Sequence, residues 1–218
     1  MKKIKDYKNA ALAALNGKWA PAVICSVVYV ILTLAVSMST AFADENSPTG
    51  ILIVSLLLQF VLSLIVTMPA GVGYYNAHKE LFVSGDDKMT SNMFKIGFGN
   101  WFRNVWAMLL YGVLVFVGFI FLIVPGVVIA IGCSLVPYLV VDKPELSAAE
   151  TLKLSWKMMK GHKWQFFVLS LSFIGWGCLC MLTLGIGFFW LYPYMYTAMA
   201  AFYVDVKAEY EANNNTNN

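Results

Sequence analysis

Long apolar runs separated by short polar stretches set the pattern of this chain. Residues 19–43 carry no charge after Lys18, and residues 50–82 none before His78 and Lys79. Residues 104–141 carry none at all, and neither do residues 164–204. One bilayer crossing takes about 20 apolar residues in a helix. The first run is therefore one span. The second is too long for a single perpendicular span, so its last turns are expected to emerge into water. The third has nearly twice the needed length, and Pro125-Gly126 near its middle marks the turn of a two-helix hairpin. The fourth repeats that arrangement, with Thr183-Leu184-Gly185-Ile186-Gly187 as its break. The pattern predicts six crossings.

A second periodicity precedes each hairpin. Ile4, Tyr7, Ala11, Ala14 and Leu15 share one helical face, with Lys3, Lys5, Lys8 and Asn9 elsewhere. Leu146, Ala149, Leu152, Trp156 and Met159 form a similar stripe beside Lys153, Lys157 and Lys160, and Ser147-Ala148-Ala149-Glu150 fits a capping box at its start. Residues 90–100 repeat the theme, with Met93, Phe94 and Phe98 on the apolar side. Each helix runs into a glycine and then a tryptophan: Gly17 and Trp19, Gly99 and Trp101, Gly161 and Trp164. Glycine fits the left-handed C-cap, and an indole suits the headgroup layer. The second span of each hairpin carries a proline, Pro69, Pro137 or Pro193, expected to kink it. Tyr74, Tyr138 and Tyr194 follow these prolines and are candidates for a polar-lined vestibule.

The expected fold is an all-α membrane protein. It has six transmembrane helices in three hairpin repeats, each preceded by a short amphipathic helix lying along the cytoplasmic leaflet. One domain covers residues 1–212, with units at about 1–86, 87–143 and 144–207, and residues 213–218 form an Asn-rich tail expected to be disordered.

Composition excludes the alternatives. Of 218 residues 60% are hydrophobic and 12% charged, and the mean hydropathy is +0.69. A soluble domain carries about a quarter charged residues and needs polar coverage. That rules out a soluble globule, a disordered chain and a nucleic-acid module. The net charge is only +3, but its placement is one-sided. The outer segments of a six-span scheme contain no Lys or Arg, whereas Asp44 and Glu45 lie there. All 15 basic residues then share one side, and the positive-inside rule makes both termini cytoplasmic. The lysines before residue 19 and the triplet Ala41-Phe42-Ala43 imitate a secretory signal with its cleavage site. The apolar run exceeds a signal core, so a retained first helix is expected.

The chemistry of an enzyme is missing from the pattern. No charge lies within the spans away from their cytoplasmic ends, no metal, nucleotide or hydrolase motif occurs, and no cofactor is expected. His78 and His162 are expected at water boundaries, Asp86-Asp87 in a solvated loop, and Gln59 in a helix-to-helix hydrogen bond. Cys25, Cys133, Cys178 and Cys180 sit in apolar runs as buried thiols. Gly126 and Ala130 make a small-xxx-small pair. The polar face of the third amphipathic helix, with Lys153, Lys157, Lys160 and Lys163, is the candidate surface for anionic lipid or a partner protein.

Three stretches resemble a known family: residues 10–19 (AALAALNGKW), residues 155–163 (SWKMMKGHK), and the closing LTLGIG with Pro193-Tyr194, Thr197-Ala198 and Phe202-Tyr203. They resemble the bacterial integral membrane family catalogued as "domain of unknown function 975". More loosely, the chain is similar to the membrane domain attached to some glycerophosphodiester phosphodiesterases, without the catalytic domain. The resemblance implies a multi-pass protein of the bacterial cytoplasmic (inner) membrane and assigns no activity. The expectation is a non-enzymatic protein organising lipid, a protein partner or a second copy of itself. The alternative is a transporter or channel for a neutral or amphiphilic substrate.

Overall fold

The computed structural model describes residues 2–40 and 47–216. Their regular structure is entirely helical: α1 (Ile4–Leu15), α2 (Trp19–Ser37), α3 (Thr49–Leu62), α4 (Met68–Ser84), α5 (Met89–Gly99), α6 (Trp101–Phe121), α7 (Ile123–Gly132), α8 (Val136–Asp142), α9 (Ala148–Met158), α10 (Lys163–Leu171), α11 (Ile174–Leu182) and α12 (Phe188–Thr216). Five stretches are long and apolar enough to cross a membrane: Trp19–Thr40, Thr49–Ser84, Trp101–Phe121, Ile123–Asp142 and Lys163–Leu182. The sixth crossing expected from sequence falls in α12, which is not among them. Tyr192, Pro193, Tyr194 and Tyr196 dilute its apolar part, and Asp205 and Lys207 follow in the same helix. Ala41-Phe42-Ala43 and the acidic pair after it lie outside the described residues.

Several breaks fall elsewhere than the pattern predicts. The hairpin turns at Leu122, an extended residue between α6 and α7, and not at Pro125-Gly126. Proline lacks an N–H, and the first turn of a helix needs none, so Pro125 starts α7 instead of ending α6. Gly126 serves packing: a Cβ there would meet the Phe119 ring, and Gly118 lies directly opposite. The Lys163–Leu182 span is two helices, interrupted at Ser172-Phe173. Lys8 of α1 donates to the Ser172 carbonyl at 3.1 Å and stands over the Phe173 ring, satisfying the backbone there. Pro69 sits in the first turn of α4 just after a π-helical turn, Ser63–Thr67. Because Pro69 cannot donate to Ile65, that carbonyl takes a hydrogen bond from Trp101 Nε1 at 3.2 Å. Pro137 opens α8 after the interruption at residues 133–135, and α12 continues through Pro193.

The short helices are packed into the bundle. α5 lies on α4, α9 on α8 and α6, and α1 on α12. Tyr7, Ala11 and Leu15 of α1 are buried, as are Met89, Met93 and Gly97 of α5 and Leu152, Ser155 and Met158 of α9. Protein therefore covers the faces expected to meet the leaflet, while Phe94, Ala149 and Trp156 from the predicted stripes stay exposed. Gly17 and Gly161 adopt the left-handed conformation of a C-cap. The middle junction differs. α5 continues to Gly99, and Gly97 faces Gly73 where α4 and α5 cross so closely that a Cβ on either would strike partner backbone.

The last turns of α4, expected in water, are instead enclosed by protein: Tyr74, Asn76, Ala77, His78, Lys79 and Leu81 are all buried. His162 is buried as well, so neither histidine is the solvated group expected from sequence. Cys25, Cys133 and Cys180 are buried, but Cys178 is exposed. The amide side chain of Gln59 makes no interhelical hydrogen bond among the described residues. The expected disordered tail is helical as far as Thr216; residues 217 and 218 lie outside the description.

Candidate functional site

Polar chemistry gathers at the end of the bundle where α4, α8 and α12 meet. Asp142, in the last turn of α8, accepts from Lys79 of α4 on Oδ1. Its Oδ2 accepts from Lys207 Nζ at 2.6 Å and the Tyr203 hydroxyl at 2.8 Å, both on α12. Glu80 adds a weaker contact, 3.5 Å from Lys79 Nζ. The side chains of Lys79 and Asp142 are only 8% and 13% exposed. A single buried charge would be costly, so one carboxylate shared by two ammonium groups and a phenol fixes the end of α8 and the last part of α4 to the middle of α12. A second tie joins α1 to α12, where Asp205 accepts from Lys2 and from the Tyr7 hydroxyl at 2.6 and 2.7 Å.

Above this clamp the tyrosines pack ring on ring. Tyr138 stacks on Tyr203 with centroids 4.7 Å apart, and Tyr74 stacks on Tyr29 at 4.6 Å. The Tyr74 hydroxyl is 2.6 Å from Ser26 Oγ. Asn76 donates to the Pro137 carbonyl at 2.7 Å, tying α4 to the start of α8. The predicted vestibule trio is thus divided. Tyr74 and Tyr138 line two separate cavities of about 250 and 240 Å3, while Tyr194 lines neither and packs edge-on to Phe173.

The basic face is on the outside of α9. Lys153, Lys157 and Lys160 are exposed; Lys163, at the start of α10, is partly covered. Lys163 Nζ lies 3.1 Å from the Trp156 ring centroid, a cation–π contact. Trp164 beside it is 73% exposed, so cations and indoles share one surface. Lys157 stands over Tyr210 of α12. Ser147 and Glu150 form the predicted capping box, which fixes where α9 begins and which lysines face out.

No group of three or more His, Cys, Asp or Glu side chains is placed to hold a metal among the described residues. The arrangement can present cations and indoles at a surface, hold three helices together by charge, and offer hydroxyls in apolar cavities. Sequence reasoning missed the Lys79–Asp142–Lys207–Tyr203 cluster. Its visible signal was a charge in the last turn of successive spans, each of which reads alone as a water-facing end. A family model described as "Protein of unknown function (DUF975)" matches residues 21–210. No curated protein and no solved structure matches the chain, so the looser likeness to phosphodiesterase membrane domains has no support from these comparisons.

Proposed function

The chain belongs to the family of proteins of unknown function DUF975, and from that premise we propose a non-enzymatic, multi-pass protein of the bacterial cytoplasmic membrane. In this reading it organises anionic lipid, or the acidic surface of a partner, through Lys153, Lys157, Lys160 and Lys163. The observation that carries the reading is the joint exposure of those lysines with Trp156 and Trp164. Lysines and indoles side by side suit the headgroup layer, where each cation contributes about 1 kcal/mol against anionic lipid. Charge asymmetry supports six crossings, α12 being the sixth, with both termini in the cytoplasm. The packing order supports three repeats. Each short helix lies on the second span of the preceding unit, α5 on α4 and α9 on α8, and α1 closes the ring on α12.

Two experiments test this. Reversing Lys153, Lys157 and Lys160 to Glu should weaken capture of phosphatidylglycerol relative to phosphatidylcholine in nanodiscs while the helical signal persists; unchanged preference removes the basic-face role. An impermeant amine reagent on intact cells should spare Lys88 and Lys157, and labelling of either reverses the topology. The two tyrosine-lined cavities favour a second reading, a transporter or channel for a neutral or amphiphilic substrate. Solute flux in proteoliposomes that stops on replacing Pro69, Pro137 or Pro193 would favour it, and tight vesicles would exclude it.

A further inference from the structure

We propose that the cavity beside the α7–α8 interruption binds one membrane lipid by its glycerol-ester region, with an acyl chain along its apolar wall. The cavity, about 240 Å3, is lined in part by Met108, Ser134, Pro137, Tyr138, Phe166 and Met199. No charged side chain lines it, so a phosphate or carboxylate gains no counter-charge there. Two of its lining residues carry hydroxyls without a partner. Tyr138 is 1% exposed and its hydroxyl makes no hydrogen bond, and Ser134 Oγ is equally enclosed and unpaired.

Buried hydroxyls of this kind call for an acceptor. An ester carbonyl is neutral, accepts from either hydroxyl, and is bonded to a chain that suits methionine and phenylalanine. The volume is below the roughly 300 to 1,000 Å3 of an ordinary small-molecule pocket, so only part of the ligand enters and the rest stays in the bilayer. Ser134 and Tyr138 lie toward the charged end of their span, eight and four residues before Asp142. The inference needs neither the basic face nor a transport activity.

The test uses the full chain in phosphatidylcholine vesicles doped with phosphatidylcholine carrying a diazirine near the ester end of one acyl chain. After irradiation, label located residue by residue should concentrate on Met108, Phe166 or Met199 over Phe102 and Trp164, which are exposed at the same end of their spans. Ala130→Phe, which fills the cavity, should abolish that enrichment, and Tyr138→Phe should lower it roughly fivefold, as expected for one lost hydrogen bond. If Ala130→Phe does not keep the thermal midpoint of the parent, Tyr138→Phe decides alone. Evenly spread label, or enrichment unchanged in Tyr138→Phe, overturns the proposal. Since the probe is zwitterionic, enrichment should survive reversal of Lys153, Lys157 and Lys160, which separates this site from the basic face.

Discussion

The end of the bundle that carries Asp142 and the end that carries Leu122 and Leu184 are built differently. At the first, Tyr203, Phe202 and Leu139 are enclosed by neighbouring helices. At the second, Leu122 is 69% and Leu184 95% exposed. In lipid the hydrophobic effect gives helices no reason to associate, because acyl chains are as apolar as leucine. Close backbone approach and hydrogen bonding remain. The Asp142 end has both: the Gly73–Gly97 crossing, the Asn76 bridge and the charged clamp. Among the described residues the Leu184 end has bulky side chains, the Gly118–Gly126 approach and Gly187 against the Cys180 side chain. Polar and small residues, and not apolar area, decide where this protein is solid.

That contrast can be broken deliberately. The largest effect is expected for Asp142→Ala, which strands Lys79 in a buried site with only Glu80 near it. Loss of stability should be about 3 to 5 kcal/mol in SDS unfolding. Combining Asp142→Leu with Lys79→Met should recover much of it, since the two deeply buried charges go together and Lys207, with its side chain 29% exposed, keeps access to water. Failure to recover would mean that the residues act independently. Next is Gly73→Ala, whose new methyl collides with the Met93 carbonyl and should cost about 3 kcal/mol. Trp101→Phe should cost about 1 kcal/mol by leaving the Ile65 carbonyl without its donor. The matched substitution on the open side is Gly112→Ala in α6, where nothing lies within 4 Å of the new methyl. It should be neutral or stabilising by under about 1 kcal/mol through helix propensity. Equal losses at Gly73 and Gly112 would erase the distinction between a close crossing and an open helix face.

The same contrast explains what could be read in the sequence. Five of the six expected spans were legible because lipid demands uninterrupted apolar runs, and the start of α9 was legible because Ser147 and Glu150 are local partners. The turn was misplaced because proline both follows helices and begins them, and only the geometry of Leu122 shows which role Pro125 takes. Gly99 reads as a cap because a glycine near a helix end serves that purpose, whereas Gly97, two residues earlier, serves a close crossing that periodicity does not show. The clamp was illegible for a stronger reason. Lys79 and Lys207 lie 63 and 65 residues from Asp142, so each appeared only as a polar end of its own span. Helices α1, α5 and α9 were found, but their faces were assigned to lipid because periodicity shows that a face is apolar without showing what covers it.

The smallest predicted effect concerns pH and the tie between α1 and α12. Burial works against the Asp205 carboxylate, but donation from Lys2 and Tyr7 outweighs it and holds the group below the ordinary carboxylate range. A group depressed in the folded state contributes stability above its unfolded value, near 4, and loses that contribution as pH falls through the depressed value. The partner Lys2 is largely exposed, so solvent screening limits the contribution to under about 1 kcal/mol. Protection of the α1 amides, each exchange rate taken relative to its intrinsic rate at that pH, should therefore be constant from pH 8 to 5 and fall below pH 4. In Asp205→Asn that fall should vanish, leaving slightly lower protection at every pH. Because Tyr7 and Ala11 remain packed on α12, α1 should loosen without detaching. Complete release of α1 at low pH would mean that the charge, and not the apolar face, holds it.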